Sequence, residues 1–213
     1  MINTVIVEDN QFMLNHMKNL IESDDRFHIE AAIKDCFEAE KICNDKPIDL
    51  VLMDVQTLHN HSGLSSGEII RRNHKNTKVI IVTSLIDPEI LVRSKTGAAD
   101  SLWYKDHGNL ELMDVIMRTL DGEHIFPDTS PNVELKKMFS DDISPRQIDI
   151  LRRFVKGMTY EEIATELKLS KNGVRWNLDQ LVEKGGFANK HELLAAVIEN
   201  KLIVTTLEEH PIS

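Results

Sequence analysis

Short apolar runs alternate with amphipathic segments from the amino terminus to about residue 120. Five of these runs have the length and composition of buried strands: "NTVIVED", "HIEAAI", "IDLVLMD", "KVIIVTS" and "ADSLWYK". The segments that follow them predict helices around residues 12–21, 37–45 and 66–73, from Pro88, and from Leu110 to Leu120. Five strands that alternate with helices predict an α/β doubly wound (βα)5 domain with a parallel five-stranded sheet.

The pattern changes after residue 120. Residues 121–142 carry two prolines, a glycine and polar clusters, which predict a linker with a short helix at Val133–Phe139. Beyond it, four short helices are predicted: Pro145–Lys156, Tyr160–Leu167, Lys171–Lys184 and Lys190–Asn200. Gly157 and the pair Gly185-Gly186 end the first and the third helix. We therefore predict a first domain at 1–122, a linker at 123–140 and a small all-α domain at 141–213.

Composition narrows the class of protein. Hydrophobic residues make up 41% and charged residues 28% of the 213, which is typical of a soluble globular protein. The sequence has no apolar run of about 18 residues and no basic segment before its first apolar run, so we expect a cytoplasmic location and no membrane partner. We expect Cys36 and Cys43 to be reduced and structural, and His59 and His61 not to bind a metal.

Charge is distributed unevenly along the chain. The formal net charge is −10, and residues 1–126 carry −8 of it, whereas residues 141–213 carry only −2. Within the latter region, residues 168–190 have an excess of three positive charges. The balance argues against nonspecific nucleic-acid binding by the whole chain, and it indicates a small basic surface on the second domain.

Reactive side chains stand where the predicted strands end. The first strand is followed by Glu8 and Asp9, the third by Asp54, the fourth ends at Thr83 and the fifth is followed by Lys105. Ligands bind at the carboxyl ends of parallel strands, so we expect these groups to converge. Carboxylates suit Mg²⁺, and Asp54 can attack a phosphoryl donor to form an acyl phosphate. Lys105 and the Thr83 hydroxyl would then hold phosphoryl oxygens.

Four of the strand-end motifs, "VIVEDN", "DLVLMD", "IIVTS" and "SLWYKD", resemble the receiver domain of two-component response regulators over residues 1–122. The resemblance implies that a sensor histidine kinase phosphorylates Asp54 and that Glu8 and Asp9 are Mg²⁺ ligands together with Asp54. It also implies that Thr83 and Lys105 are the switch hydroxyl and lysine. Two features depart from the family: the loop "VQTLHNHSGLSSGE" is long and lacks the usual proline, and Leu102 replaces the usual switch aromatic.

The second domain has the form of a helix-turn-helix. Leu169-Ser170 precedes a helix in which Val174, Leu178 and Leu181 share one apolar face. The opposite face is predicted to enter the major groove of DNA and consists of Asn172, Arg175, Trp176 and Asp179. We expect Arg175 to contact guanine, Trp176 to contact thymine methyl groups, and Asp179 to accept from cytosine or to orient Arg175. Lys171 would meet phosphate at the helix start.

The segments "SPRQIDIL", "EEIATELKLS" and "GVRWNLDQLVEKGGF" resemble the LuxR-type output domain of NarL/FixJ regulators over residues 141–205. The resemblance implies promoter DNA as a partner and a homodimer formed through the last helix, "HELLAAVIEN". Gly173 and Asn177 depart from residues that are common in the family.

The sequence therefore predicts a transcription regulator that phosphorylation of Asp54 controls. No enzymatic activity is expected beyond accepting the phosphoryl group and self-dephosphorylation. One alternative keeps the fold but makes the receiver a phosphorylation-independent dimerisation module of a DNA-binding regulator. A remote alternative is an aspartyl-phosphate phosphohydrolase. Enzymes of the haloacid-dehalogenase type, however, place a second aspartate two residues after the nucleophile, where this chain has Gln56.

Overall fold

The five predicted strands form one parallel sheet. They are β1 (Ile2–Val7), β2 (Phe27–Ile33), β3 (Leu50–Met53), β4 (Lys78–Thr83) and β5 (Ser101–Tyr104). Their order in the sheet is β2-β1-β3-β4-β5, and every neighbouring pair is parallel. The chain order reverses between β1 and β3, so the switch point lies at the carboxyl ends of these two strands. The predicted doubly wound fold is confirmed.

Helices connect the strands: α1 (Gln11–Glu22), α2 (Cys36–Asp45), α3 (Gly63–Asn73), α4 (Pro88–Arg93) and α5 (Leu112–Leu120). A π-helical turn, Ser94–Ala98, continues α4. The apolar residues of α1 and α5 pack with Ile6, Leu52 and Ile80 on one face of the sheet. α2 and α3 contribute buried residues that include Cys43 and Ile70 and contact the strands on the other side. The inner strands β3 and β4 are buried almost throughout, which explains their continuous apolar runs, whereas the edge strand β2 is only partly buried and includes His28 and Glu30.

The structure is a computed structural model that describes residues 1–107 and 110–204. These residues divide into two compact units. Among the described residues, the first comprises Met1–Ser84 and Pro88–Thr129, and the second comprises Leu85–Asp87 and residues 130–204. The predicted linker, residues 123–140, is thus divided between the units. The Ile125 N–H donates to the Ser101 hydroxyl at 3.0 Å in the first unit.

The second unit begins with a β-hairpin, β6 (Glu134–Leu135) paired with β7 (Met138–Phe139). The predicted helix at Val133–Phe139 is therefore wrong. Its apolar positions suit either a helix or a strand, and the turn has no glycine or asparagine to mark it. Lys136 itself takes the left-handed conformation, with φ +64°, that closes the hairpin.

Four helices follow, as predicted: α6 (Pro145–Val155), α7 (Tyr160–Glu166), α8 (Lys171–Gly185) and α9 (Lys190–Glu199). Ser144, Thr159 and Ser170 cap the first three through their hydroxyl oxygens. Each of the four helices contributes to one apolar core, for example through Leu151, Ile163, Val174, Leu178 and Val197. None of the helices in the described part of the chain combines the length and apolar character that crossing a bilayer requires.

Candidate functional site

Three carboxylates converge at the switch point of the sheet. Glu8 and Asp9 follow β1 and Asp54 follows β3, and one ligand oxygen from each lies within 4.8 Å of the others. The sheet pattern continues into these residues. The Glu8 N–H donates to the Ile33 carbonyl at 3.0 Å, and the Asp54 N–H donates to the Val7 carbonyl at 3.0 Å. Backbone hydrogen bonding therefore fixes where Glu8 and Asp54 project.

Asp54 is an oriented acceptor in a nearly closed site. Its Oδ1 accepts from the Val55 N–H at 2.7 Å, and its Oδ2 lies 3.1 Å from Lys105 Nζ. The residue is 8% exposed, whereas Asp9 beside it is exposed to solvent. The small exposed part of Asp54 is thus accompanied by the open carboxylate of Asp9.

Lys105 joins two of the carboxylates. Its Nζ lies 2.5 Å from Glu8 Oε2 and 3.1 Å from Asp54 Oδ2, and the side chain is only 7% exposed. The Lys105 N–H donates to the Thr83 carbonyl at 2.8 Å, which ties it to the end of β4. Thr83 itself is fully buried. The five residues predicted at the strand ends are thus brought to one rim of the sheet.

Burial controls ionisation in this cluster. It raises the pKa of Glu8 to about 7, and the neighbouring Asp54 charge adds to the effect, while Lys105 opposes it. Burial also raises the pKa of Asp54, again opposed by Lys105. Burial disfavours the charge of Lys105, but the Asp54 and Glu8 carboxylates outweigh it and raise the pKa of Lys105. One ammonium does not satisfy three carboxylates, and hard oxygen donors at this spacing fit a divalent cation such as Mg²⁺.

The long loop after Asp54 is tied to the segment that follows β2. The Leu58 N–H donates to the Lys34 carbonyl at 2.9 Å, and the Cys36 N–H donates to the Thr57 hydroxyl at 3.3 Å. His61 Nδ1 lies 2.9 Å from Asp35 Oδ1, and the ring of His61 stacks on Phe37 with centroids 3.8 Å apart.

Burial opposes the charge of Asp35, but hydrogen bonds from His61 and the Phe37 N–H outweigh it and lower the pKa of Asp35. His61 thus has a structural partner, Asp35, that the sequence did not indicate, and the ring of His59 lies 5.7 Å from that of His61. The two histidines are not part of the carboxylate cluster.

Gly63, the first residue of α3, is a site residue that the sequence analysis missed. A Cβ at this position would lie 1.8 Å from the carbonyl oxygen of Asp54. The Gly63 N–H also donates to the carbonyl of Val55, the residue after Asp54, at 2.9 Å. The start of α3 therefore packs closely against the backbone of Asp54 and Val55. In the sequence, Gly63 is only a glycine within a polar stretch, and such a pattern predicts a turn without indicating close contact with Asp54.

Leu102, at the predicted switch position, is only 2% exposed. Its N–H donates to the Ile125 carbonyl at 2.9 Å. The aromatic residues after it are held in place as well. Trp103 Nε1 donates to the Leu110 carbonyl at 2.8 Å, and Tyr104 is 3% exposed. The side chain at the switch position is thus a buried aliphatic group.

A second candidate site lies on α8 in the second unit. Val174, Leu178 and Leu181 are buried, whereas Asn172, Arg175, Trp176 and Asp179 are exposed. Trp176 is 60% exposed. A large aromatic side chain in water on a helix with basic residues is typical of a binding surface.

The charged groups of this surface are paired. Lys171 forms an ion pair with Glu161 of α7, and Arg175 Nε lies 3.5 Å from Asp179 Oδ2. Asp179 Oδ1 also lies 2.6 Å from Nζ of Lys190, the first residue of α9. An open pocket of about 610 Å³ lies beside the start of α8, and Lys171, Arg175 and Lys190 help to line it. Sequence reasoning missed Glu161, and it included Lys190 only in the basic stretch 168–190 without the pairing to Asp179, because both residues lie on other helices.

Two family models match the chain. Residues 4–117 match the response regulator receiver domain, and residues 141–197 match the luxR family of bacterial regulatory proteins. The first match alone covers more than half of the chain, and together the two models include both candidate sites.

Curated relatives match over nearly the whole chain. The nitrate/nitrite response regulator protein homolog of Haemophilus influenzae is 24% identical over 198 residues, which cover 91% of this chain and 93% of that protein. The oxygen regulatory protein NreC of Staphylococcus aureus is 25% identical, with 93% and 98% covered.

Solved structures share the fold. RcsB of Salmonella enterica serovar Typhimurium, bound to promoter DNA in the presence of the phosphomimetic BeF3⁻, matches with a TM-score of 0.59 at 18% identity. That match covers 92% of this chain and 98% of RcsB. A LuxR-family response regulator from Aurantimonas sp. SI85-9A1 has a TM-score of 0.54 at 20% identity, with 59% of this chain and 89% of the other covered.

Proposed function

From the premise that the chain belongs to the response regulators that join a receiver domain to a LuxR-type DNA-binding domain, we propose how it is controlled. A sensor histidine kinase phosphorylates Asp54, and this phosphorylation controls promoter binding by α8. The observation that carries the proposal is the setting of Asp54: a buried acceptor held by Lys105, with Glu8 and Asp9 beside it. The kinase supplies the phosphoryl group, and the resulting change in promoter binding changes transcription from that promoter. Members of this family are regulators, and a phosphohydrolase activity is not part of the proposal.

The chemistry is a phosphoryl transfer to a carboxylate. An Asp54 oxygen attacks phosphorus, the bond from phosphorus to the donor nitrogen breaks, and that nitrogen keeps the electron pair. Mg²⁺, when held by Glu8, Asp9 and Asp54, supplies charge neutralisation for the incoming phosphoryl oxygens. Lys105 pairs with one of these oxygens as an ammonium, and its raised pKa supports that charged form. Hydrolysis of the acyl phosphate returns the resting carboxylate.

Thr83 is the residue that reports the new phosphoryl group. Its backbone carbonyl accepts from the N–H of Lys105, so the end of β4 and the start of the β5–α5 loop move as one hydrogen-bonded unit. A phosphoryl oxygen that accepts from the Thr83 hydroxyl draws this side chain toward Asp54 and biases the segment after β4. The buried Leu102 means that this regulator works without an aromatic rotamer change at that position.

Promoter DNA is the proposed ligand of α8. Arg175 and Trp176 are the exposed side chains suited to base edges, with Asn172 beside them. The exposed ion pair with Glu161 competes with phosphate for Lys171 and lowers its contribution to affinity by a small amount. A homodimer through α9 is proposed because Ile198 is 49% exposed next to the buried Val197.

The test compares the wild type with Asp54→Ala, and Asp45→Asn serves as a matched control because Asp45 is an exposed carboxylate at the end of α2. Each full-length protein is incubated with acetyl phosphate and Mg²⁺. Intact mass then reports phosphorylation, and selection from random duplexes reports DNA binding. Wild type and Asp45→Asn should gain one phosphoryl group and bind selected DNA more tightly, whereas Asp54→Ala should do neither. Equal DNA binding by all three proteins, with and without donor, would reject control by phosphorylation.

The alternative is a receiver that dimerises without phosphorylation. The aliphatic Leu102 and the tied loop after Asp54 favour it, because both reduce the movements available to the site. This alternative predicts a concentration-dependent dimer whose dissociation constant is unchanged by acetyl phosphate and Mg²⁺. Sedimentation velocity of the wild type and of Asp54→Ala distinguishes the two proposals.

A further inference from the structure

Lys190 occupies a position that helix electrostatics disfavours. It is the first residue of α9, directly after the capping residue Asn189, where the helix dipole favours negative charge. Its side chain is nevertheless only 22% exposed and reaches back to α8, with Nζ 2.6 Å from Asp179 Oδ1. The same Nζ lies 5.4 Å from the centre of the Tyr160 ring on α7. A lysine placed against the dipole therefore bridges three helices.

Asp179, the partner of Lys190, is a negative charge on the helix face that is proposed to contact DNA. It lies one turn after Arg175 on the exposed face of α8, where an unpaired carboxylate would repel the phosphates of DNA. Its two oxygens are divided between two cations: Oδ1 faces Lys190, and Oδ2 lies 3.5 Å from Arg175 Nε. The hydrogen bond from Lys190, together with the charges of Lys190 and Arg175, lowers the pKa of Asp179. Asp179 is thus held ionised and is neutralised from the side of α9.

In this arrangement Arg175 faces Asp179 through Nε and not through the two Nη groups at the end of its guanidinium. When Nε faces Asp179, the Nη groups at the end of the guanidinium keep their N–H donors for another acceptor pair. A guanine edge offers such a pair of acceptors, O6 and N7. A guanidinium fixed by an ion pair loses less conformational entropy on binding, and it rejects a wrong base more strongly than a freely rotating one.

We propose that Lys190 is a positioning residue for DNA recognition, which holds Asp179 so that this carboxylate orients Arg175 instead of opposing the DNA phosphates. The inference rests on the proposed function of α8 as the DNA-binding helix. It differs from the simpler role of Lys190 as a phosphate contact, because a phosphate contact acts independently of Asp179. The double mutant separates the two roles.

The experiment uses the full-length protein with BeF3⁻ and Mg²⁺, a duplex selected from random sequence, and a scrambled duplex of the same composition. The variants are Lys190→Gln, Asp179→Asn, their combination, and Lys190→Arg as the conservative replacement. Lys137→Gln, an exposed lysine of the hairpin, controls for the loss of one charge. Dissociation constants are measured by fluorescence anisotropy, and thermal unfolding of each variant checks that the fold is kept.

We expect Lys190→Gln to weaken binding of the selected duplex about tenfold when Asp179 is present, and less than about twofold in the Asp179→Asn background. Lys190→Arg should keep wild-type binding. Asp179→Asn alone should bind the scrambled duplex more tightly and lower the ratio of selected to scrambled affinity. This last result stands even if Lys190→Gln does not fold.

Equal losses from Lys190→Gln in both backgrounds, or an unchanged affinity ratio in Asp179→Asn, would overturn the positioning role and leave Lys190 as a phosphate contact or a helix tether. If the wild type itself yields no selected duplex, the proposed DNA-binding function fails. That outcome is distinct from a failure of the coupling alone.

Discussion

Glu8 is a residue whose ionisation depends strongly on its place in the fold. Its neighbour Asp9 has the same functional group and is exposed, whereas Glu8 is 1% exposed and shares the Lys105 ammonium with Asp54. Burial and the charge of Asp54 raise its pKa to about 7 from an ordinary value of 4.5. The folded protein therefore retains a proton between those pH values that the unfolded chain releases, so in the absence of metal the stability falls as the pH rises through this window.

The same proton competes with Mg²⁺, which gives the first prediction. A metal ligand must be deprotonated, so the affinity for Mg²⁺ should rise about tenfold from pH 6 to pH 8 and level off above the pKa of Glu8. Isothermal titration calorimetry in buffers of different ionisation enthalpy measures both the affinity and the released proton. Glu8→Gln should bind Mg²⁺ more weakly at every pH and without this slope. A slope that persists in Glu8→Gln would assign the proton to another group.

Removal of Lys105 provides a second prediction at this scale. Lys105→Gln leaves the Glu8 and Asp54 carboxylates buried without their ammonium, at Nζ distances of 2.5 and 3.1 Å in the wild type. The free energy of unfolding should fall by about 3–5 kcal/mol at pH 8, and by less at pH 6 where Glu8 takes up a proton. Chemical denaturation at the two pH values measures the difference, with the exposed Lys95→Gln as control. Added Mg²⁺ should restore part of the loss, and a loss that is independent of both pH and Mg²⁺ would contradict the ion-pair explanation.

At the scale of elements, the local signals in the sequence were sufficient for most of the fold. The strands were predicted because their buried positions form apolar runs, and α6 to α9 were predicted because caps such as Ser144 and Ser170 mark their starts. The β6–β7 hairpin was missed because Lys136 adopts a left-handed turn that its residue type does not suggest. Contacts between elements carry no such signal. The pairs of Asp35 with His61 and of Asp179 with Lys190 join helices or loops whose approach only the folded chain defines.

The junction of β3 and α3 depends on one glycine, which gives a third prediction. Gly63→Ala places a methyl group where the carbonyl oxygen of Asp54 lies, at 1.8 Å, so the start of α3 must move. We expect the free energy of unfolding to fall by about 2 kcal/mol or more, and phosphorylation by acetyl phosphate to slow because Asp54 is displaced. Gly97→Ala is the control, since nothing lies within 4 Å of its added Cβ. Wild-type stability and phosphorylation of Gly63→Ala would show that the loop adjusts freely.

The loop after Asp54 supports a fourth prediction. His61→Ala removes the 2.9 Å contact with Asp35 and the stacking on Phe37, so the loop loses two of the contacts that tie it to the segment after β2. Amide exchange at Leu58, whose N–H donates to the Lys34 carbonyl, should accelerate by about tenfold while exchange in β1 and β3 stays unchanged. Hydrogen exchange read by NMR measures this, and His28→Ala, at an exposed histidine of β2, is the matched control. Unchanged exchange at Leu58 would show that the backbone hydrogen bonds alone hold the loop.

At the scale of the whole molecule, net charge differs between the region with the phosphoacceptor and the region proposed to bind DNA. Residues 1–126, which include the phosphoacceptor, carry −8 of the net charge of −10, whereas residues 168–190 of the second domain have an excess of three positive charges. Lys171 and Lys190 of this stretch form ion pairs with Glu161 and Asp179, so these two cations are less available to DNA phosphates. A single second unit should therefore bind DNA weakly, and tight binding should require two copies on one duplex.

This requirement gives the last prediction, because the dependence of DNA affinity on salt counts the phosphates that a bound protein neutralises. Each phosphate contact contributes about −0.9 to the slope of log K against log salt concentration. If phosphorylation brings two second units onto one selected duplex, the wild type with BeF3⁻ and Mg²⁺ should show a slope about twice that of Asp54→Ala under the same conditions. Fluorescence anisotropy at several salt concentrations gives both slopes, and sedimentation of the complexes gives the number of protein chains bound. The two proteins could instead differ in affinity but have equal slopes and equal stoichiometry. That result would mean that phosphorylation alters the DNA contacts of one second unit and does not recruit another. Because coupling is reciprocal, DNA would then favour phosphorylation of the protein without favouring its dimer.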